Sequence, residues 1–159
     1  LEVLQAHDID MVALAGYLRL VPAPVVQHYR NRMLNIHPAL LPAFGGKGMY
    51  GRRVHEAVLA ARCRITGPTV HLVDERYDTG PIVIQWPVPV LADDTPDTLA
   101  ARVLRVEHAI YPPAVELIAE ALHLGTGVLP FGLDDPVAFS MVRTPAPSEA
   151  DVRRALGFR

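Results

Sequence analysis

Apolar residues along this chain fall into two rhythms: short unbroken runs, and stretches where they return every three or four positions. Residues 11–15 (Met-Val-Ala-Leu-Ala) are an unbroken run ended by Gly16, which predicts a strand buried on both faces, as in a parallel sheet. Pro22 and Pro24 then break the chain and open a short helix at 25–29, since proline suits a first helical turn. Residues 32–36 predict a second strand, stopped by Pro38, and Pro38, Pro42, Gly45, Gly46, Gly48 and Gly51 make the next stretch a loop. Val54, Ala57, Val58 and Ala61 share a helical face, Gly67 and Pro68 close that element, and residues 69–73 read as a strand with Val70 and Leu72 on one side.

The second half continues the alternation. Ile82, Ile84, Trp86, Val88 and Val90 predict one strand over 82–90, and Pro87 and Pro89 on the opposite phase put it at a sheet edge. Asp94-Thr95-Pro96-Asp97 starts a helix with a capping candidate, a proline at the first position and acid in the first turn. Leu99, Val103, Val106 and Ile110 carry it on, and Pro112-Pro113 predict a kink or a split. Residues 115–124 resume the helix and Gly125 stops it. Past Gly127 the pattern weakens to a proline-rich surface strand and tail, so 1–127 read as the folded domain and 128–159 as a C-terminal extension. Helices alternating with apolar strands give the α/β class.

Composition narrows the function classes. Half of the 159 residues are hydrophobic and 20% are charged, enough for one packed core. Fifteen Lys+Arg against seventeen Asp+Glu leave a charge of −2, which argues against a sequence-independent nucleic-acid binder. Cys63 is the one cysteine, so no internal disulfide or multi-cysteine zinc site forms, and a reducing, cytoplasmic compartment is expected. No apolar run approaches the roughly 20 residues of a membrane span. The chain opens on Leu1 rather than Met, and residues 1–7 already read as the end of a helix feeding a strand, so N-terminal truncation is expected.

Gly46-Lys-Gly48-Met-Tyr-Gly51 matches the spelling of a dinucleotide fingerprint. That motif must follow a buried strand directly, and here residues 38–44 intervene, so a plain glycine loop is the better reading. His55-Glu56 opens like a zincin motif, but Leu59 stands where the second histidine belongs. Asn35-Ile-His37-Pro38 carries more chemistry. Asn35 and His37 are two apart at a strand end and leave on one face. An amide donor beside an imidazole holds a carbonyl oxygen and supplies a proton as that oxygen gains charge. A hydrogen-bonded pair ending a strand is the plainer alternative. Asp78 follows the next strand in Tyr77-Asp78-Thr79-Gly80-Pro81, either a simple turn or a carboxylate brought to His37 by loops converging at strand carboxyl ends. In the latter case it raises the histidine's pKa. No Ser or Cys is placed for covalent catalysis, so the attacking group is a nucleophile in its own right, such as a substrate amine.

Several blocks occur in order: Ala-Gly-Tyr-Leu-Arg-Leu-Val at 15–21, Leu-Asn-Ile-His-Pro-Ala-Leu-Leu-Pro at 34–42, Gly-Pro-Thr-Val-His-Leu-Val at 67–73, Tyr-Asp-Thr-Gly-Pro-Ile at 77–82, and Glu-His-Ala-Ile-Tyr-Pro at 107–112. Together they resemble the folate-dependent formyltransferase family, and the last block favours its phosphoribosylglycinamide branch. The resemblance implies a Rossmann-like fold with a mostly parallel central sheet, helices on both faces and its N-terminal strands missing. It implies formyl transfer from 10-formyltetrahydrofolate to the amine of glycinamide ribonucleotide in purine synthesis, with no metal. Asn35 and His37 would handle the formyl group, with His37 as proton donor kept charged by Asp78. Leu18, Arg19, Leu20 and Val21 would line the folate site with Asn35, Tyr77 and Asp78, and Glu107 would bind the ribose. Ala39 stands where many relatives have serine. The family's opening strand and Gly-Ser-Asn phosphate loop are expected upstream of Leu1, so weak folate binding without transfer is the expectation for the chain as written. A formyltetrahydrofolate hydrolase using water at the same three residues, and an inactive folate-binding fragment, remain the alternatives.

Overall fold

A computed structural model describes residues 1–125 and 148–155. Helix α1 (Glu2–Ala6) leads into strand β1 (Val12–Leu14); α2 (Ala23–His28) follows, then β2 (Met33–His37), α3 (Arg52–Ala60), β3 (Ile65–Thr66), β4 (Thr69–Leu72), β5 (Ile82–Gln85), β6 (Val88–Pro89), α4 (Pro96–His123) and α5 (Glu149–Ala155). The main sheet has the order β1-β2-β4-β5, and β3 pairs with β6 in a small second sheet. The α/β class expected from the sequence is the class observed. The pairing is mixed rather than mostly parallel: β1 and β2 run parallel, but β2–β4 and β4–β5 are antiparallel. Parallel strands need a long crossover, and β4 reaches β5 through a helix-free loop, 73–81, that permits only reversal.

Three other expectations change. Strand β1 is only half-buried, with Ala13 exposed, because β2 is its one partner among the described residues. The strand expected over 82–90 is two strands in two sheets; Pro87 separates them, and β5 does lie at a sheet edge. Pro112 and Pro113 do not split α4, which runs unbroken from Pro96 to His123. An interior proline costs a helix roughly 3 kcal/mol. Here the residues around the prolines (Ile110, Ala114, Ile118) are fully buried, and the Tyr111 hydroxyl donates to the Leu14 carbonyl at 2.7 Å, pinning that turn to the end of β1. Of the expected tail strand nothing falls within the described residues, whereas residues 149–155 form helix α5, tied to α4 by Arg153 and Glu116.

The start of α4 follows from its sequence. Thr95 caps it, accepting from the Thr98 amide at 3.2 Å, while the Thr98 hydroxyl accepts from the Thr95 amide at 3.0 Å. Leu99, Val103, Val106 and Ile110 bury one stripe against Leu34, Val70, Val83 and Val88 of the strands, with Val58 of α3 beside them. No helix among the described residues is long and apolar enough to cross a membrane.

Candidate active site

Asn35 and His37 leave the same face of β2, as strand alternation requires. The antiparallel register sets His71 of β4 opposite Asn35 and Thr69 opposite His37. A register shift toward β5 lies between Val70 and His71, a local irregularity of the kind that re-aims a side chain. The backbone after His37 is held by Thr69, whose hydroxyl donates to the Ala39 carbonyl at 2.6 Å and accepts from the Leu41 amide at 3.0 Å. Gln85 adds a bond to the Leu41 carbonyl at 2.9 Å.

Asp78 meets these residues by a different route from a loop at a strand's carboxyl end. Because β4 runs against β2, its carboxyl end, Leu72, lies beside Leu34, at the far end of β2 from His37. Loop 73–81 therefore folds back, placing Asp78 Oδ2 3.5 Å from His37 Nδ1 and Oδ1 3.6 Å from His71 Nε2. Asp78 holds a left-handed φ of 56°, strained for a non-glycine residue by about 1 kcal/mol. The Gly46 amide donates to its Oδ2 at 2.8 Å and secures it. Gly80 completes the turn: a Cβ there would stand 1.9 Å from the Leu72 carbonyl oxygen, so no larger residue fits. The glycine loop at 46–51 thus acquires a task that neither motif reading supplied. With Gly46 and Gly48 at positive φ, it walls the cavity and holds the carboxylate.

Electrostatics corrects one expectation. Burial pushes the pKa of His37 down, and the opposing pull of Asp78 and the Phe44 carbonyl does not overcome it, so His37 sits below its ordinary value. The carboxylate does favour the charged ring; desolvation wins. Since the Phe44 carbonyl accepts only, His37 Nε2 carries the proton and donates to it at 2.9 Å. For Asp78, burial pushes the pKa up but is outweighed by His71, the Gly46 amide and His37, so the carboxyl lies below its ordinary value. Burial raises Glu107, against a partial pull from His108.

Two cavities meet here. The larger, about 820 Å³, is lined by Leu18, Asn35, His37, His55, Tyr77, Asp78, Glu107 and the glycine loop. The smaller, about 50 Å³, is lined by Arg19, Leu20, Val21, Asn35, His71, Tyr77 and Asp78. Every candidate residue named from the sequence therefore faces one cavity or the other, with Asn35, Tyr77 and Asp78 facing both. His71 and His55 were missed. Both are buried, at 2% and 4% exposure, and His71 stands between Val70 and Leu72 in a strand that is apolar on either side of it. That is the signal that could have drawn notice to them.

Residues 1–115 match the family of formyl transferases. The chain is 56% identical over 119 residues to the chloroplastic phosphoribosylglycinamide formyltransferase of Arabidopsis thaliana, covering 75% of this chain and 41% of that protein. The crystal structure of glycinamide ribonucleotide transformylase 1 from Symbiobacterium toebii superposes with a TM-score of 0.69 at 47% identity, over 76% of this chain and 54% of that one. A formyltetrahydrofolate deformylase from Pseudomonas syringae superposes with a TM-score of 0.60 at 26% identity, over 82% of this chain and 41% of that one. The chain spans less than half the length of its plant relative, and Asn35, His37 and Asp78 fall within residues 1–115, the stretch that matches the family. This chain belongs to the formyl transferase family.

Proposed function

We propose that this chain carries the formyl-transfer centre of a phosphoribosylglycinamide formyltransferase, moving a formyl group from 10-formyltetrahydrofolate to the amine of glycinamide ribonucleotide. One observation carries the reading: Asn35, His37 and Asp78 converge where a large cavity meets a small one. The amine nitrogen attacks the formyl carbon, and a C–N bond forms as the carbonyl oxygen takes the electron pair. Asn35 donates an N–H to that oxygen and His37 supplies a proton from Nε2. When the pair returns, that proton goes back to His37, the bond to the folate nitrogen breaks, and the folate nitrogen takes up the proton that the attacking amine gives up. Asp78 orients His37 and favours its imidazolium form, the one able to give up the Nε2 proton. Leu18, Arg19, Leu20, Val21 and Tyr77 line the folate side, and Glu107 meets the ribose. The chain's compartment is taken to be the cytoplasm. Metal plays no part in this scheme, and a chelator is expected to leave the rate unchanged; strong inhibition overturns the metal-free scheme.

The relatives favour transfer over hydrolysis, since the deformylase likeness is the weaker one. The test measures folate product with glycinamide ribonucleotide or water as acceptor. Product that depends on the ribonucleotide supports the assignment; formate release without it makes the chain a hydrolase; folate binding with neither product makes it a folate-binding fragment. Replacing Asn35 by Ala is expected to raise the barrier by roughly 2.7–4 kcal/mol, and unchanged turnover removes it from the oxyanion role.

A further inference from the structure

Asn35 performs its assigned task only if its amide is the right way round. The nitrogen side must face the reacting oxygen, because the carbonyl side would repel it. An asparagine amide is nearly symmetric in shape, so packing alone distinguishes the two orientations poorly. Something must read the difference, and His71 stands directly across the β2–β4 ladder from it.

The bonds of His71 form a chain of forced choices. Its Nδ1 lies 2.8 Å from the Leu72 carbonyl oxygen, which only accepts, so Nδ1 carries a proton. When the ring is neutral that is its one proton, and Nε2 is left with a bare lone pair. That lone pair faces Asn35 Nδ2 at 3.2 Å and accepts one of its two protons. The Asp78 oxygen, 3.6 Å from the same Nε2, is the rival partner that a second ring proton would favour, and Asn35 Nδ2 at 3.2 Å is the nearer one. Turning the amide over would set Oδ1 against the Nε2 lone pair, acceptor against acceptor, in a site where His71 is 2% exposed and no water relieves the loss at low cost.

We propose that His71 is a positioning residue. As its Nδ1–H tautomer, fixed by the Leu72 carbonyl, it accepts one Asn35 N–H and locks the amide with its second N–H toward the reacting oxygen. The information passes from a backbone carbonyl through one imidazole to an amide, across two adjacent strands. The catalytic part of the proposal rests on the formyl-transfer reading; the lock itself does not.

Nitrogen-15 NMR of the histidine rings in the 159-residue chain, without substrates, reads the tautomer directly. A proton on Nδ1 of His71 and a side-chain amide signal of Asn35 that shifts on His71→Leu are expected; a proton on Nε2, or an Asn35 signal indifferent to the change, overturns the lock. Two variants then test its use. His71→Leu cannot accept a bond, and kcat is expected to fall at least about tenfold with the folate KM within about twofold, because only a transition-state contact is disturbed. His71→Gln, whose carbonyl can accept from Asn35, is expected to recover most of that loss. Equal damage in both variants, or a loss confined to KM, reduces His71 to a structural role. If the unsubstituted chain binds folate without transferring a formyl group, as expected where the phosphate loop is missing, the ring tautomer and the Asn35 signal decide the lock. Should His71→Leu not fold, the tautomer and His71→Gln decide it.

Discussion

At the scale of single residues, burial and charge pull on His37 in opposite directions, and burial is the stronger. Removing the charge that opposes burial has a definite sign. Asp78→Asn is expected to move the titration midpoint of His37 further below its ordinary value, since an amide does not favour imidazolium. NMR titration of the His37 ring in both proteins checks this, and equal midpoints break the pairing. The pair Asn35 and His37 was legible in the sequence because strand alternation is local: two residues apart at a strand end must share a face. Asp78 was legible as a candidate, but through the wrong geometry, since the direction of β4 is not written in residues 69–73. His71 was not legible as a partner of Asn35. That contact depends on cross-strand register, a property of two segments 36 positions apart.

At the scale of elements, α4 shows where local signals succeed and where packing overrides them. Its start was legible because Thr95, Pro96 and Asp97 satisfy capping rules within one turn. Its passage through Pro112 and Pro113 was not, because the burial that holds it comes from distant strands. The segment ahead of the helix is held by Arg102, which clasps Asp94 with two bonds of 2.6 and 2.7 Å and also donates to the Pro89 carbonyl at 3.0 Å. The guanidinium, with the Leu91 amide and the Thr98 hydroxyl, holds Asp94, its side chain 2% exposed, at about 2 instead of 3.8. A carboxylate depressed in the folded state stabilises above its ordinary value and loses that contribution as pH falls through its folded one. Arg102→Met removes only the largest of these contributions and is therefore expected to cost about 1 kcal/mol at neutral pH. Urea titrations are expected to show the gap from the parent closing as pH falls below 3.8 toward about 2. A gap that stays constant across that window assigns the loss to packing.

At the scale of the whole molecule, the described sheet has an open side. Strand β1 pairs only with β2 there, Ala13 is exposed, and Val3 of α1 is 71% exposed nearby in the chain. A bare strand edge beside apolar residues is a template for a second chain. Self-association that rises with concentration is expected, and Ala13→Lys should suppress it, because a charge on an edge strand opposes pairing. Light scattering across a dilution series measures both. Equal scattering from the two proteins clears this edge of the role.

The Phe44 carbonyl that accepts the His37 proton has a consequence for selectivity. On the proposed mechanism the chain carries its own competitor, a neutral amide oxygen already bonded to the His37 Nε2 that an incoming formyl oxygen would use. A formyl oxygen that displaces it exchanges one neutral carbonyl for another, so the ground state gains little from the swap. An oxygen that has begun to carry negative charge is a far stronger acceptor than the peptide it replaces. The resident carbonyl therefore acts as a built-in reference level: contact with His37 adds little affinity for a formyl donor that merely sits in the cavity, and favours the one whose carbonyl is being attacked.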